Sequence, residues 1–155
     1  MAAEPDAHAL VSAARDLVRI DIDAGAGLGP RAASLLARQA LEAALARLWQ
    51  LAAPGLERTT SRCQLLCVGP MLNDPELGGR VGVAWNVLSD GCHHGVYALP
   101  PSIAELDDAL MTVWELADAI EMVRARAGRS HSERGLVRSR FGPSRDGLAL
   151  GPDPR

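Results

Sequence analysis

Up to about residue 126, apolar residues recur at spacings of three and four, the period of helices that bury one face. Residues 7 to 23 form the first such stretch, with Leu10, Ala14 and Leu17 on one stripe and Arg15, Asp16 and Arg19 off it. The glycine-rich run from Gly25 to Pro30 stops it. A second helix is predicted from about Arg31 to Ala53, carrying Ala37, Leu41, Leu45, Leu48 and Ala52, and Pro54-Gly55 ends it. A short third helix starts near Thr59, Thr60 or Ser61, carries Arg62, Cys63, Leu65, Leu66 and Cys67, and breaks at Gly69-Pro70. Asp74-Pro75-Glu76 then supplies an N-cap, a proline suited to the first helical position and an acid that suits the helix dipole. The fourth helix it opens has the stripe Leu77, Val81, Trp85, Leu88 and Cys92. After Pro100-Pro101, Ser102 and Glu105 form a capping box for a fifth helix, whose stripe is Ile103, Leu106, Leu110, Val113, Ala117 and Ile120. Glu105, Asp108, Glu115 and Asp118 face away from that stripe.

Composition strengthens the helical reading. The apolar residues are mostly Ala, Leu and Val, and the aromatics are only Trp49, Trp85, Trp114, Tyr97 and Phe141, which favours helix packing over a β-sandwich. The expected fold is therefore all-α, an antiparallel bundle of four or five helices, with residues 1–126 as one domain. Beyond Arg126, Gly, Ser, Arg and Pro increase and periodicity fades, so residues 127–155 read as a disordered Arg-rich tail.

Charge divides the chain along nearly the same line. Residues 124–155 hold eight arginines against Glu133, Asp146 and Asp153, about +5, while residues 1–123 hold eight arginines against 16 carboxylates, about −8. A basic arm on an acidic body can reach a phosphate backbone or fold back on its own carboxylates. No apolar run has the length of a membrane span, and the N-terminus lacks the layout of a signal peptide. With three cysteines and no disulfide framework, the expectation is a cytoplasmic protein without a membrane partner.

Candidate chemistry concentrates where the fourth helix ends, at Cys92-His93-His94-Gly95-Val96-Tyr97. Ser89 and His93, and Asp90 and His94, are four apart; Asp90 and His93 are three apart, so a carboxylate or hydroxyl can meet an imidazole on one helical face. Such a pair suits general acid/base work near neutrality, and the same histidines equally suit a helix C-terminus, bonding its free carbonyls. Cys63 and Cys67, one turn apart, form with Cys92 and His93 a set of the kind zinc accepts if the third and fourth helices are neighbours; their apolar flanks equally suit the core, and no metal or other cofactor is assigned. Arg62, in an otherwise apolar helix, either anchors a carboxylate or phosphate or lies on the surface. The three tryptophans occupy three different helices at core-compatible positions. Neither a phosphate-binding glycine loop nor a serine nucleophile elbow is present.

A helical bundle whose late helix ends in histidine, followed by a Tyr- and Pro-containing turn and a final amphipathic helix, resembles the HEPN superfamily of small prokaryotic domains over residues 31–123. The resemblance implies a homodimer and, for its active members, metal-independent ribonuclease activity by an arginine separated from a following histidine by four to six intervening residues. His93 or His94 is then that histidine, but positions 86 to 89 hold Asn86, Val87, Leu88 and Ser89, so the guanidinium that stabilises a phosphorane is absent. The expected function is a non-catalytic or weakly active module of a defence or toxin–antitoxin type system, binding RNA, a nucleotide or a protein partner. Its site comprises His93, His94, Asp90 and Ser89 for catalysis and Arg62, Asn86 and Tyr97 for binding. The alternatives are a ribonuclease using His93 and His94, and a structural adaptor in a larger complex.

Overall fold

The computed structural model describes residues 6–24, 29–92 and 99–140, with side chains at 6–20, 29–92 and 99–129. All regular structure among them is helical: α1 Ala7–Ala24, α2 Gly29–Ala52, a 3-10 turn at Leu56–Arg58, α3 Ser61–Leu72, α4 Pro75–Cys92 and α5 Ile103–Arg140. The all-α bundle expected from the period is the observed fold. The chain divides into two compact units, Met1–Arg124 and Ala125–Arg155. No helix among the described residues is long and apolar enough to cross a membrane.

Local chemistry sets the helix boundaries. The Thr60 hydroxyl accepts from the Cys63 amide, 3.4 Å, at the start of α3. The Asp74 carboxylate accepts from the Leu77 amide at 2.9 Å and begins α4. At α5 the capping box is reciprocal: Ser102 Oγ accepts from the Glu105 amide at 3.2 Å, and the Glu105 carboxylate accepts from the Ser102 amide at 2.8 Å. The Ser102 hydroxyl also donates to the Glu105 carboxylate at 2.7 Å, and this bond, followed by the one from the Ser102 amide, holds the Glu105 carboxyl below its ordinary pKa.

Two boundaries differ from the expectation. The third helix does not break at Gly69-Pro70 but includes Pro70 and ends at Leu72, where Asn73 takes a left-handed conformation at φ 54° and its amide reaches the Gly69 and Pro70 carbonyls. Proline removes one helical donor, yet so near the C-terminus little helix remains to be lost. α5 likewise continues past Arg126 to Arg140. Fading apolar periodicity there does not end the helix, because Ala125, Arg126, Glu133 and Leu136 are good helix formers. The rest of the expected disordered tail, 141–155, lies outside the described residues.

Inter-helix contacts fix the directions. Trp49 near the end of α2 is fully buried and its indole N–H donates to the Gln64 side-chain oxygen near the start of α3, 3.0 Å. Gly69 of α3 and Gly78 of α4 meet so closely that a Cβ on Gly78 would lie 2.6 Å from the Gly69 Cα. Near the other end of α4, a Cβ on Gly91 would lie 2.6 Å from Ser34 Oγ of α2, so α2 and α4 run antiparallel. Arg80, early in α4, pairs with Glu115 of α5 at 2.6 Å. His8 at the start of α1 donates to Asp118 of α5 at 2.9 Å.

One apolar core unites the five helices. It contains Val11, Ala14 and Val18 of α1, Leu41, Leu45, Leu48 and Trp49 of α2, Val68 of α3, Leu77, Val81 and Leu88 of α4, and Leu106, Leu110, Val113, Leu116 and Ile120 of α5. In α1 the buried stripe is displaced by one residue, with Leu10 and Leu17 flanking the core. Ile103, expected on the buried stripe of α5, is 46% exposed because it stands in the first turn, at the edge of the bundle.

Candidate functional site

The sequence-based site was expected to gather around the end of α4. His93, His94 and Tyr97 lie outside the described residues. The other four candidates do not converge: Asn86 stands one turn from Ser89 and Asp90, and these two, successive on a helix that turns about 100° per residue, point apart. Ser89 faces α2, whereas Asp90 is exposed on the side of α5. Asn86 and Arg62, both exposed, share a groove of about 600 Å³ between α3 and α4 with Leu66 and Val83. Arg62 is thus a surface arginine and anchors no buried carboxylate.

Ser89 belongs to a polar cluster centred on Arg38, a residue the sequence reading passed over. The Arg38 guanidinium donates through Nη1 to Ser89 Oγ at 2.6 Å and through Nε to Glu42 Oε1 at 3.0 Å. It also lies over the Trp85 ring, 3.9 Å from its centroid, with its side chain only 22% exposed. Ser89 in turn donates to the Trp85 carbonyl one turn back, 2.5 Å. Arg38 therefore brings a positive charge to α4 from another helix. That charge is already engaged by a carboxylate, a hydroxyl and a π-face, so it acts as a strut between α2 and α4. Trp85 is the platform for this arginine and Trp49 is core.

Cys92 lies near the same cluster. Burial pushes its thiol above the ordinary cysteine value; Arg38 pulls it down and Glu42 pushes it up by smaller amounts. A protonated thiol is a poor nucleophile and a poor metal ligand. Cys63, expected in the core, is exposed, and among the described residues no group of three His, Cys, Asp or Glu side chains is placed to hold a metal. The proposed zinc set of Cys63, Cys67 and Cys92 does not assemble; its fourth member, His93, lies outside the described residues.

Comparisons with protein-family models, curated proteins and solved structures return no match.

Among the described residues, an extended groove runs between antiparallel α4 and α5. One section, about 520 Å³, is lined by Val83, Ala84, Val87, Ala109 and Met111, with Arg80, Glu105, Asp108 and Thr112 at its sides. The adjoining section shares Val87 and Glu105 and adds Asp90, Leu99, Pro100, Pro101 and Ile103. Large apolar side chains stand open along it: Val83 is 63% exposed, Met111 51%, Leu99 91% and Ile103 46%. Arg80 is neutralised by Glu115, which leaves Asp90, Glu105 and Asp108 as the net charge of the walls. From Arg80 to Asp90 the groove extends about 15 Å at the helical rise per residue, the length of roughly three helical turns. Sequence periodicity missed this feature because apolar residues on both sides of α4 blur a single-stripe reading. The useful signal was Val83 and Val87, which lie off the Leu77–Val81–Leu88 stripe.

Proposed function

We propose that this chain is a non-catalytic helical module of HEPN-like architecture. Its α4–α5 groove binds an amphipathic, positively charged helix of a protein partner. The observation that carries the proposal is an apolar floor of Val83, Val87, Ala109 and Met111 beside Asp90, Glu105 and Asp108. Apolar anchors at helical spacing fill such a floor, while arginines or lysines on the partner's flanks meet the carboxylates. The non-catalytic part rests on the absence of arginine at 86–89 and on the engagement of Arg38 by Glu42, Ser89 and Trp85. The acidic balance of residues 1–123, about −8, favours a basic protein segment over RNA for this surface.

The test uses the full chain and a designed amphipathic peptide of about 15 residues, with leucines at i, i+3, i+4 and i+7 and arginines on the flanks, followed by fluorescence anisotropy. Binding is expected to weaken at least about ten-fold in Val83→Asp and on raising salt to about 1 M, where the Debye length falls to ~3 Å. A glutamate-flanked version of the peptide is expected not to bind. Equal binding of both peptides, or none by either, overturns the proposal. So does sedimentation showing that the groove is closed by a second copy that Val83→Asp releases. Cleavage of single-stranded RNA without divalent metal, abolished by His93→Ala with His94→Ala, overturns its non-catalytic part.

A further inference from the structure

On the far side of the bundle from the Pro100-Pro101 end of the groove, a separate cleft of about 310 Å³ opens between the start of α1, the second half of α2 and α5. Its volume is at the lower end of the range for small-molecule sites. Four alanines, Ala7, Ala43, Ala44 and Ala117, with Ile120, form its apolar surface; small side chains from α1, α2 and α5 leave the space that larger ones would fill. Its polar lining is Asp6, His8, Arg47, Glu121 and Arg124.

The charges of this lining are unequally satisfied. Arg124 is paired with Glu121 at 3.2 Å. Asp6 stands at the N-terminus of α1, where its carboxylate accepts from the His8 amide at 3.2 Å and faces the positive end of the helix. His8 is fixed in place: its Nε2–H donates to Asp118 at 2.9 Å, and its ring stands edge-on to Trp114 with centroids 4.6 Å apart. Arg47 alone is left over. It is half-buried and makes no hydrogen bond or ion pair among the described residues. A half-buried guanidinium facing an alanine-lined hollow offers a two-pronged donor with no acceptor.

We infer that this cleft binds a small aliphatic carboxylate, its carboxylate on Arg47 and its hydrocarbon chain against Ala43, Ala44, Ala117 and Ile120. A single negative charge matches Arg47, the cleft-lining arginine without an ion pair among the described residues. A phosphate dianion would bring its second charge close to Asp6 and Glu121, which disfavours it here. The planar carboxylate suits the guanidinium fork, and the apolar surface gives the rest of the ligand its place.

The full-length protein, labelled with nitrogen-15, is titrated with n-alkanoates from acetate to octanoate, with hexanol, hexylamine and inorganic phosphate as comparisons. Saturable shifts of the Ala43, Ala44 and Ala117 amides are expected with hexanoate and not with hexanol or hexylamine. Arg47→Met is expected to weaken hexanoate at least about ten-fold, the scale of a charge-assisted hydrogen-bond pair, and Arg47→Lys to retain part of the affinity. Ala43→Leu, which fills the hollow, is expected to abolish binding while leaving the helical circular dichroism intact. Tighter binding of phosphate than of hexanoate, equal binding of hexanol, or no saturable shift with any alkanoate overturns the inference. The hexanol and hexanoate comparison needs only the wild-type chain, so the proposal is decided even if a variant fails to fold. None of these outcomes depends on the α4–α5 groove.

Discussion

Alanine substitutions at three glycines of α4 are expected to change stability in opposite directions. Gly78 lies against α3, and a Cβ added there would sit 2.6 Å from the Gly69 Cα and 2.7 Å from its nitrogen. Both are backbone atoms, so no rotamer change relieves the clash. Restoring carbon–carbon contact at about 3.6 Å requires the helices to separate by roughly 1 Å, enough to forfeit a quarter to a half of the dispersion attraction at the crossing. Overpacking of this kind costs about 1–3 kcal/mol, and the better helix propensity of alanine offsets up to about 1 kcal/mol of it. At Gly79 and Gly82 a Cβ meets nothing within 4 Å. There only the propensity gain remains, about 0.5–1 kcal/mol each. At about 2–4 °C per kcal/mol for a chain of this size, Gly78→Ala is expected to melt several degrees below wild type and the other two a few degrees above it. Thermal melts by far-UV circular dichroism, with urea titrations at constant m-value, provide the comparison. A Gly78→Ala protein as stable as Gly79→Ala would refute the close α3–α4 crossing.

Two further outcomes follow from the cysteines and the α5 cap. Exposed Cys63 is expected to react with a maleimide well before Cys92, whose thiol is raised by burial, and Arg38→Met should slow Cys92 further by removing the charge that lowers its pKa; peptide mapping of partially labelled protein reads the order. Because the Glu105 carboxyl is held below its ordinary value in the folded chain, its contribution is fully present above the unfolded value of about 4.3 and is lost as pH falls through the lowered one. Glu105→Gln should therefore lose part of the acid-side decline in stability seen in wild type, as followed by urea melts across that range.

The caps at Asp74 and Ser102 were legible because each is a local bond, complete within four residues, while the cap of α3 was narrowed only to Thr59, Thr60 or Ser61. The core stripes of α2 and α4 were legible because Leu41, Leu45 and Leu48, and Leu77, Val81 and Leu88, each repeat on one face. The site was far less so. Arg38 and Ser89 are separated by 51 residues and His8 and Asp118 by 110, and no local pattern in the sequence marks either pairing. Arg38 and Glu42 stand at i and i+4, a spacing that marks nothing beyond a helical ion pair, and only the fold places Trp85 beneath the arginine. Arg47 was invisible for a different reason: what distinguishes it is the lack of a partner among the described residues, a property of three-dimensional surroundings.

The His8–Asp118 bond bears on the order in which the molecule takes shape during synthesis. The α1–α2 and α3–α4 pairs involve segments adjacent in sequence and can associate as soon as each second helix has emerged. His8 must wait until a further 110 residues have been made before its partner exists. The first turn of α1 thus lacks this clasp until α5 is made, and the cleft beside it is completed only when α5 arrives.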